Sequence, residues 1–258
     1  DRAANILKTG DYNPHFMEWP SFPIYLTAGS MAVGYLHAAS KLEVEGTADI
    51  GSVSFPYFTH SKILWAPKVL FVLLGITAAF LMGVVGYRLT NNPYLLFLAP
   101  FVILLSPFYS GQLLAYPNVD TVGVFSVACL YLFLFSSERT EFSVRQAAIA
   151  GALTGMTIAS KYSLFLVFVP TLLLIITLRS GRRVVPAVVL VVVAAMTFVL
   201  LVPFSVLDLP QFLDDLAYQA NHYHGGHPGL EAPPGMQQLR HYLAGLRGDF
   251  GLVTLPFF

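Results

Sequence analysis

An all-α, polytopic transmembrane helix bundle is the fold class this sequence predicts, and three observations predict it. Apolar residues make up 56% of the 258 and charged residues only 11%, where a soluble domain carries about 25% charge. Mean hydropathy is +0.67. Apolar runs recur along the chain, several close to the roughly 20 residues that a bilayer core of about 30 Å requires. Formal net charge is zero, which gives no reason to expect nucleic acid or an acidic polymer as partner. The single cysteine, Cys129, sits in an apolar run and reads as a small core hydrophobe without an intrachain disulfide partner.

Taken in order, residues 1–63 read as a long extracytoplasmic loop. Within it Ile24–Ala39 is apolar but brief and contains glycine. Residues 64–204 supply six expected membrane helices: Leu64–Tyr87, Tyr94–Tyr116, Asp120–Ser136, Ala147–Ser160, Tyr162–Leu178 and Val184–Phe204. The fourth and fifth are short and separated by Lys161 alone, which predicts a tight helical hairpin. Arg88, then Arg139 and Arg145, then Arg179, Arg182 and Arg183 occupy short connections, and placing these in the cytoplasm lets the six spans alternate. A crossing by Ile24–Ala39 would break that parity, so it is expected to lie along the outer surface as a juxtamembrane helix. Residues 205–249 then form a second outer loop, and 250–258 begin another helix. Prolines at 14, 20, 23, 203, 210, 233 and 234 punctuate the loops, as suits helix boundaries. No internal repeat is visible. A start at Asp1 without an initiator Met, and a stop inside an apolar run, read as an internal piece of a longer membrane protein.

An ionisable group at membrane depth costs about 2.5–3.5 kcal/mol on insertion scales and is read by default as functional. Glu18 sits among aromatics in Phe16-Met17-Glu18-Trp19-Pro20, in a loop stiffened by Pro14 and Pro20. Asp120 opens the run that follows Asn118-Val119. It is open to reading as a first-turn carboxylate, favoured by the helix dipole, with Asn118 an equal candidate for the cap. Its expected position on the face that carries Glu18 favours function. Lys161 interrupts more than thirty apolar residues. Its ammonium either snorkels to the headgroups or meets a phosphate at the lipid–water boundary. Asp11 and His15 project onto the same expected face. His222, His224 and His227 form a loose H-x-H-x-x-H cluster that suits either zinc or substrate contact. Gly151 and Gly155 have the spacing that lets a second helix approach closely. Phosphate loops, nucleophile elbows and HExxH are missing from the sequence, so nucleotide-dependent and hydrolytic readings lose ground.

The run from Leu7 to Ser21, Leu-Lys-Thr-Gly-Asp-Tyr-Asn-Pro-His-Phe-Met-Glu-Trp-Pro-Ser, resembles the first outer loop of superfamily C membrane glycosyltransferases. It is most similar to family 39, which includes protein O-mannosyltransferases and aminoarabinose transferases. Ser106-Pro107 followed by Asp120, Ala159-Ser160-Lys161-Tyr162, and Tyr223-His224-Gly225-Gly226-His227-Pro228-Gly229 extend the resemblance over nearly the whole chain. It implies a polyprenyl-phosphate sugar donor, a lipid, protein or glycan acceptor, and chemistry on the extracytoplasmic side of the cell membrane. Glu18 matches the loop acid, which in the aminoarabinose branch helps hold a divalent metal. Asp120 matches the acid that starts the fourth helix, and Lys161 a basic residue near the lipid phosphate. The family's catalytic Asp-Glu pair precedes the Asn-Pro motif and is expected upstream of Asp1.

The expected activity is therefore transfer of one sugar, with inversion, from a polyprenyl phosphate to an acceptor hydroxyl. Asp120 and Glu18 are the expected acids of the site and Lys161 its phosphate contact. His15, Asp11, His224 and His227 are the expected substrate contacts. Two alternatives stay open. A secondary transporter would use Asp120 and Lys161 along a midplane path, although transporters usually carry internal repeats. A non-catalytic assembly subunit would have a degenerate site.

Overall fold

The computed structural model describes residues 2–44, 46, 50, 61–114, 118–136, 143–177, 184–225 and 235–250. Among these residues the fold is all-helical, without strands. Helix α1 spans Arg2–Thr9 and α2 Ser21–Ser40. Ala3, Ala4 and Ile6 of α1 bury against Ala28 and Met31 of α2, and this cluster reaches Ile63 at the start of α3, Ser61–Thr90. At Gly34 the α2 backbone runs so close to α3 that an added Cβ would stand 2.3 Å from the Ile63 carbonyl oxygen.

Where the sequence predicts one span over Tyr94–Tyr116, the structure has two helices, α4 (Leu95–Leu105) and α5 (Pro107–Leu114). The residue before a proline is driven out of the helical region, and Ser106 obeys, with ψ 121. Its hydroxyl accepts from the Tyr109 N–H at 3.3 Å and its carbonyl from Ser110 N–H at 2.9 Å, so Ser106 also starts α5. Tyr109 ties α5 back to α3 through its hydroxyl, which donates to the Gly75 carbonyl at 2.8 Å.

Helix α6 (Val119–Leu134) and α7 (Val144–Ser160) run antiparallel, joined in their buried contact by the Ser126 and Ser160 hydroxyls 3.1 Å apart. A capping box opens α7. The Ser143 hydroxyl accepts from Gln146 N–H at 3.3 Å and the Gln146 side chain accepts from Ser143 N–H at 2.9 Å. At Lys161 the backbone turns extended (φ −159, ψ 125), then winds into a 3-10 helix, Tyr162–Val167, before α8, Phe168–Thr177. Ile175 near the end of α8 packs with Ala147 and Ala150 near the start of α7, so the chain doubles back at Lys161.

The largest helix interface is between α7 and α9 (Val184–Leu201). An added Cβ on Gly151 would lie 2.7 Å from the Leu190 oxygen, and one on Gly155 2.4 Å from the Ala194 oxygen. Paired glycines four apart thus let the two backbones touch, and the progression 151 to 190 and 155 to 194 makes the helices parallel.

Among the described residues two helices, Lys62–Thr90 within α3 and Val184–Leu201, are long and apolar enough to cross a membrane; Leu95–Leu105, Val119–Leu134 and Tyr162–Thr177 are apolar but shorter. Within the stretch 205–249, expected as an outer loop, the structure forms helices: α10 (Phe204–Leu207), α11 (Leu209–Gly225) and α12 (Met236–Phe250). The cause is legible locally: Leu209, Phe212, Leu213, Leu216 and Ala220 recur at helical spacing. The connections carrying Arg139, Arg179, Arg182 and Arg183, and the expected helix start at 251–258, lie outside the described residues.

Candidate functional site

Helix α6 begins where Asn118, in extended backbone, accepts from the Asp120 N–H through its side chain at 2.9 Å. Asn118 is therefore the cap, and the Asp120 carboxylate is released from that task. It turns instead to Lys161, whose ammonium lies 2.5 Å from Asp120 Oδ1. The two residues are 41 positions apart and meet because α6 starts where α7 ends. Both side chains are about half exposed, 41% for Lys161 and 51% for Asp120. Behind them opens a cavity of about 410 Å³ between α3, α5, α6 and the 3-10 helix. Its walls include Met82, Leu113, Val124, Val127 and Leu164, with the ion pair on the rim. Gly123 matters here, because an added Cβ would meet Leu164 at 2.8 Å.

The Glu18 segment is built by a relay of side-chain turns. Gly10, in the left-handed region at φ 71, ends α1. Thr9 Oγ1 then accepts from Asp11 N–H at 3.1 Å, Asp11 Oδ1 from Asn13 N–H at 2.9 Å, and Asn13 Oδ1 from His15 N–H at 3.0 Å. His15, left-handed at φ 46, returns its ring to Asp11 at 2.8 Å. That ring contact, with the Asn13 N–H, lowers the Asp11 carboxyl below its ordinary 3.8. Met17 is fully buried and anchors the segment; Phe16 and Trp19 meet edge to face at 6.0 Å.

Glu18 itself is half-buried, and its Oε2 accepts from Gln219 Nε2 of α11 at 2.9 Å. Asp215, one turn earlier, accepts from the Met17 N–H at 2.5 Å, and Asp208 accepts from Asn13 Nδ2 at 2.8 Å. Phe212, on the same helix, packs on the Tyr162 ring at 6.1 Å, and Tyr162 follows Lys161. The Glu18 segment and the Asp120–Lys161 pair thus share one end of the bundle, connected through α11 and Tyr162. Arg88 and Arg145, at the end of α3 and the start of α7, belong to the opposite end.

No family model, curated protein or solved structure matches this chain.

Of the site residues expected from sequence, Asp120 and Lys161 come together, as do Asp11 and His15. Glu18 meets an amide. His222 stacks on Tyr218 with centroids 6.0 Å apart. The His224 side chain and all of His227 lie outside the described residues. Among the described residues no three metal-ligating side chains converge, and the partner of Glu18 is a carboxamide. The described residues assemble no ligand set around the metal expected at Glu18. Sequence reasoning missed Asp208, Asp215, Gln219 and Tyr162. Spacing of seven and four, from Asp208 just before α11 to Asp215 and Gln219 on it, was the available signal for the first three.

Proposed function

We propose that this chain is part of a multi-pass membrane glycosyltransferase that moves a sugar from a polyprenyl phosphate to an acceptor hydroxyl. The observation that carries the reading is the Lys161 ammonium on the rim of an apolar cavity, held by Asp120. That combination suits an amphiphile, with a phosphate at the ammonium and an isoprenoid tail against Met82, Val124 and Val127. Apolar side chains exposed on the outer faces of α3, α4 and α9, among them Leu73, Phe80, Phe97, Phe101, Val188 and Leu200, support a lipid environment.

In this reading the acceptor oxygen attacks the anomeric carbon, the bond from that carbon to the phosphate oxygen breaks, and its electron pair leaves with the phosphate. Lys161 stabilises that leaving charge electrostatically. A carboxylate takes the acceptor proton, and Glu18 and Asp120 position the reactants. Because the Asp120–Lys161 pair is half exposed, exchanging Asp120 for a phosphate oxygen costs little. The chemistry occurs on the extracytoplasmic side, opposite Arg88 and Arg145.

The test is sugar transfer from a polyprenyl-phosphate donor by the full-length protein in nanodiscs. Lys161→Ala is expected to lower kcat/KM by about 100-fold, in the range of lost transition-state charge stabilisation. Wild-type protein that carries substrate across a vesicle membrane without transferring sugar would instead establish transport.

A further inference from the structure

Three hydrogen bonds join residues 195, 198 and 201 positions apart, and all connect the Glu18 segment to the region of α11. Asp208, immediately before the helix, Asp215 and Gln219 are spaced by seven and four. At 3.6 residues per turn they fall on a single stripe. Gln211 reinforces it, donating from Nε2 to the second Asp215 oxygen at 2.7 Å. The segment they hold is irregular: His15 is left-handed, and no helix or sheet hydrogen bonds fix Glu18. Its carboxylate geometry is therefore set from α11.

We propose that α11 is a positioning strut. Its polar stripe fixes the Glu18 carboxylate, with Gln219 the positioning residue, and its Phe212 contact with Tyr162 holds that carboxylate in a constant relation to the Asp120–Lys161 pair. The proposal deepens the glycosyltransferase reading and rests on it only for the kinetic measurement below. Asp215 acts on the backbone at Met17, so it sets where the residue starts. Gln219 acts on the carboxylate, so it sets where the side chain ends.

The experiment compares wild type, Gln219→Leu, Gln219→Lys and Gln237→Ala in the full-length protein in nanodiscs. Carbodiimide labelling of Glu18 is read by peptide mass spectrometry, alongside thermal unfolding. Losing a hydrogen bond to a charged group is expected to raise the Glu18 labelling rate about threefold or more in Gln219→Leu. Melting temperature is expected to move by no more than about 2 °C. Gln219→Lys, which keeps an N–H donor, and the exposed Gln237→Ala stay near wild type. Equal labelling in Gln219→Leu and wild type overturns the strut. A second arm does not depend on that variant: Glu18→Cys with Gln219→Cys, in a Cys129→Ala background, should be joined by a short bifunctional thiol reagent, since side chains that meet tip to tip lie beyond the roughly 7 Å Cα reach of a disulfide, and no cross-link overturns the proposal. For sugar transfer, Gln219→Leu should lose about tenfold in kcat while donor KM is retained, because Lys161 is untouched. Wild-type protein that transfers no sugar removes the enzymatic reading, whereas labelling and cross-linking still decide the strut.

Discussion

Asp120 shows how a side chain is assigned its role by its neighbour. A carboxylate in the first turn of a helix is stabilised by the dipole whether or not it does anything else, so its position by itself is uninformative. Asn118 takes the capping hydrogen bond, and Asp120 faces Lys161. A pair this exposed contributes about 0–1 kcal/mol to stability. Asp120→Asn is therefore expected to leave the melting temperature nearly unchanged in a thermal unfolding experiment while transfer falls. A large loss of stability would make the pair structural. Asp11 offers a second residue-level test. Its folded pKa lies below 3.8, so the Asp11–His15 contact contributes stability that is present above that value and is lost as pH falls through the lower folded one. In a Trp65→Phe background, fluorescence of Trp19, in the same segment, should change as pH falls below 3.8, and Asp11→Asn should diminish that acid transition.

Two helix crossings in this molecule, α2 on α3 and α7 on α9, form where a glycine removes the obstacle. Two glycines of α2 make opposite predictions. Gly34 meets the Ile63 carbonyl, a backbone atom unable to rotate away, whereas Gly29 has nothing within 4 Å of its missing Cβ. Gly34→Ala should destabilise by about 1–3 kcal/mol through overpacking. Gly29→Ala should be neutral or stabilising by up to about 1 kcal/mol, since alanine is the better helix former. Denaturant or thermal unfolding of the pair checks this, and equal effects would contradict the α2–α3 crossing. Gly155→Val tests the α7–α9 contact similarly, because its Cβ would meet the Ala194 oxygen at 2.4 Å, and a loss of several kcal/mol is expected. The Ser106-Pro107 break was legible from the proline rule, yet an apolar run of more than twenty residues masked it.

For the whole molecule, the proposed reading sets an orientation that can be tested. Glu18, Asp120 and Lys161 gather at one end of the bundle, and Arg88 and Arg145 at the other. In a Cys129→Ala background, single cysteines at 18 and 120 are expected to react with an impermeant thiol reagent from the extracytoplasmic side. Cysteines at 88 and 145 should react only after the membrane is opened. Reaction of 18 and 120 from opposite compartments would dismantle the shared site. The same experiment places α2, through a cysteine at exposed Leu36, either at the surface or across the bilayer.

Composition and the length of the apolar runs determined that the chain is helical and where most helices run, because the hydropathy of a segment is a local property of the sequence. Local chemistry also marked the glycine pair of α7 and singled out Glu18, Asp120 and Lys161 as costly in an apolar setting. Only the tertiary structure decided their partners. Gln219 reaches Glu18 across 201 positions, and Lys161 reaches Asp120 across 41. A hydrogen bond depends on atoms brought within about 3 Å, and that proximity arises from helices crossing, which no spacing along the chain encodes.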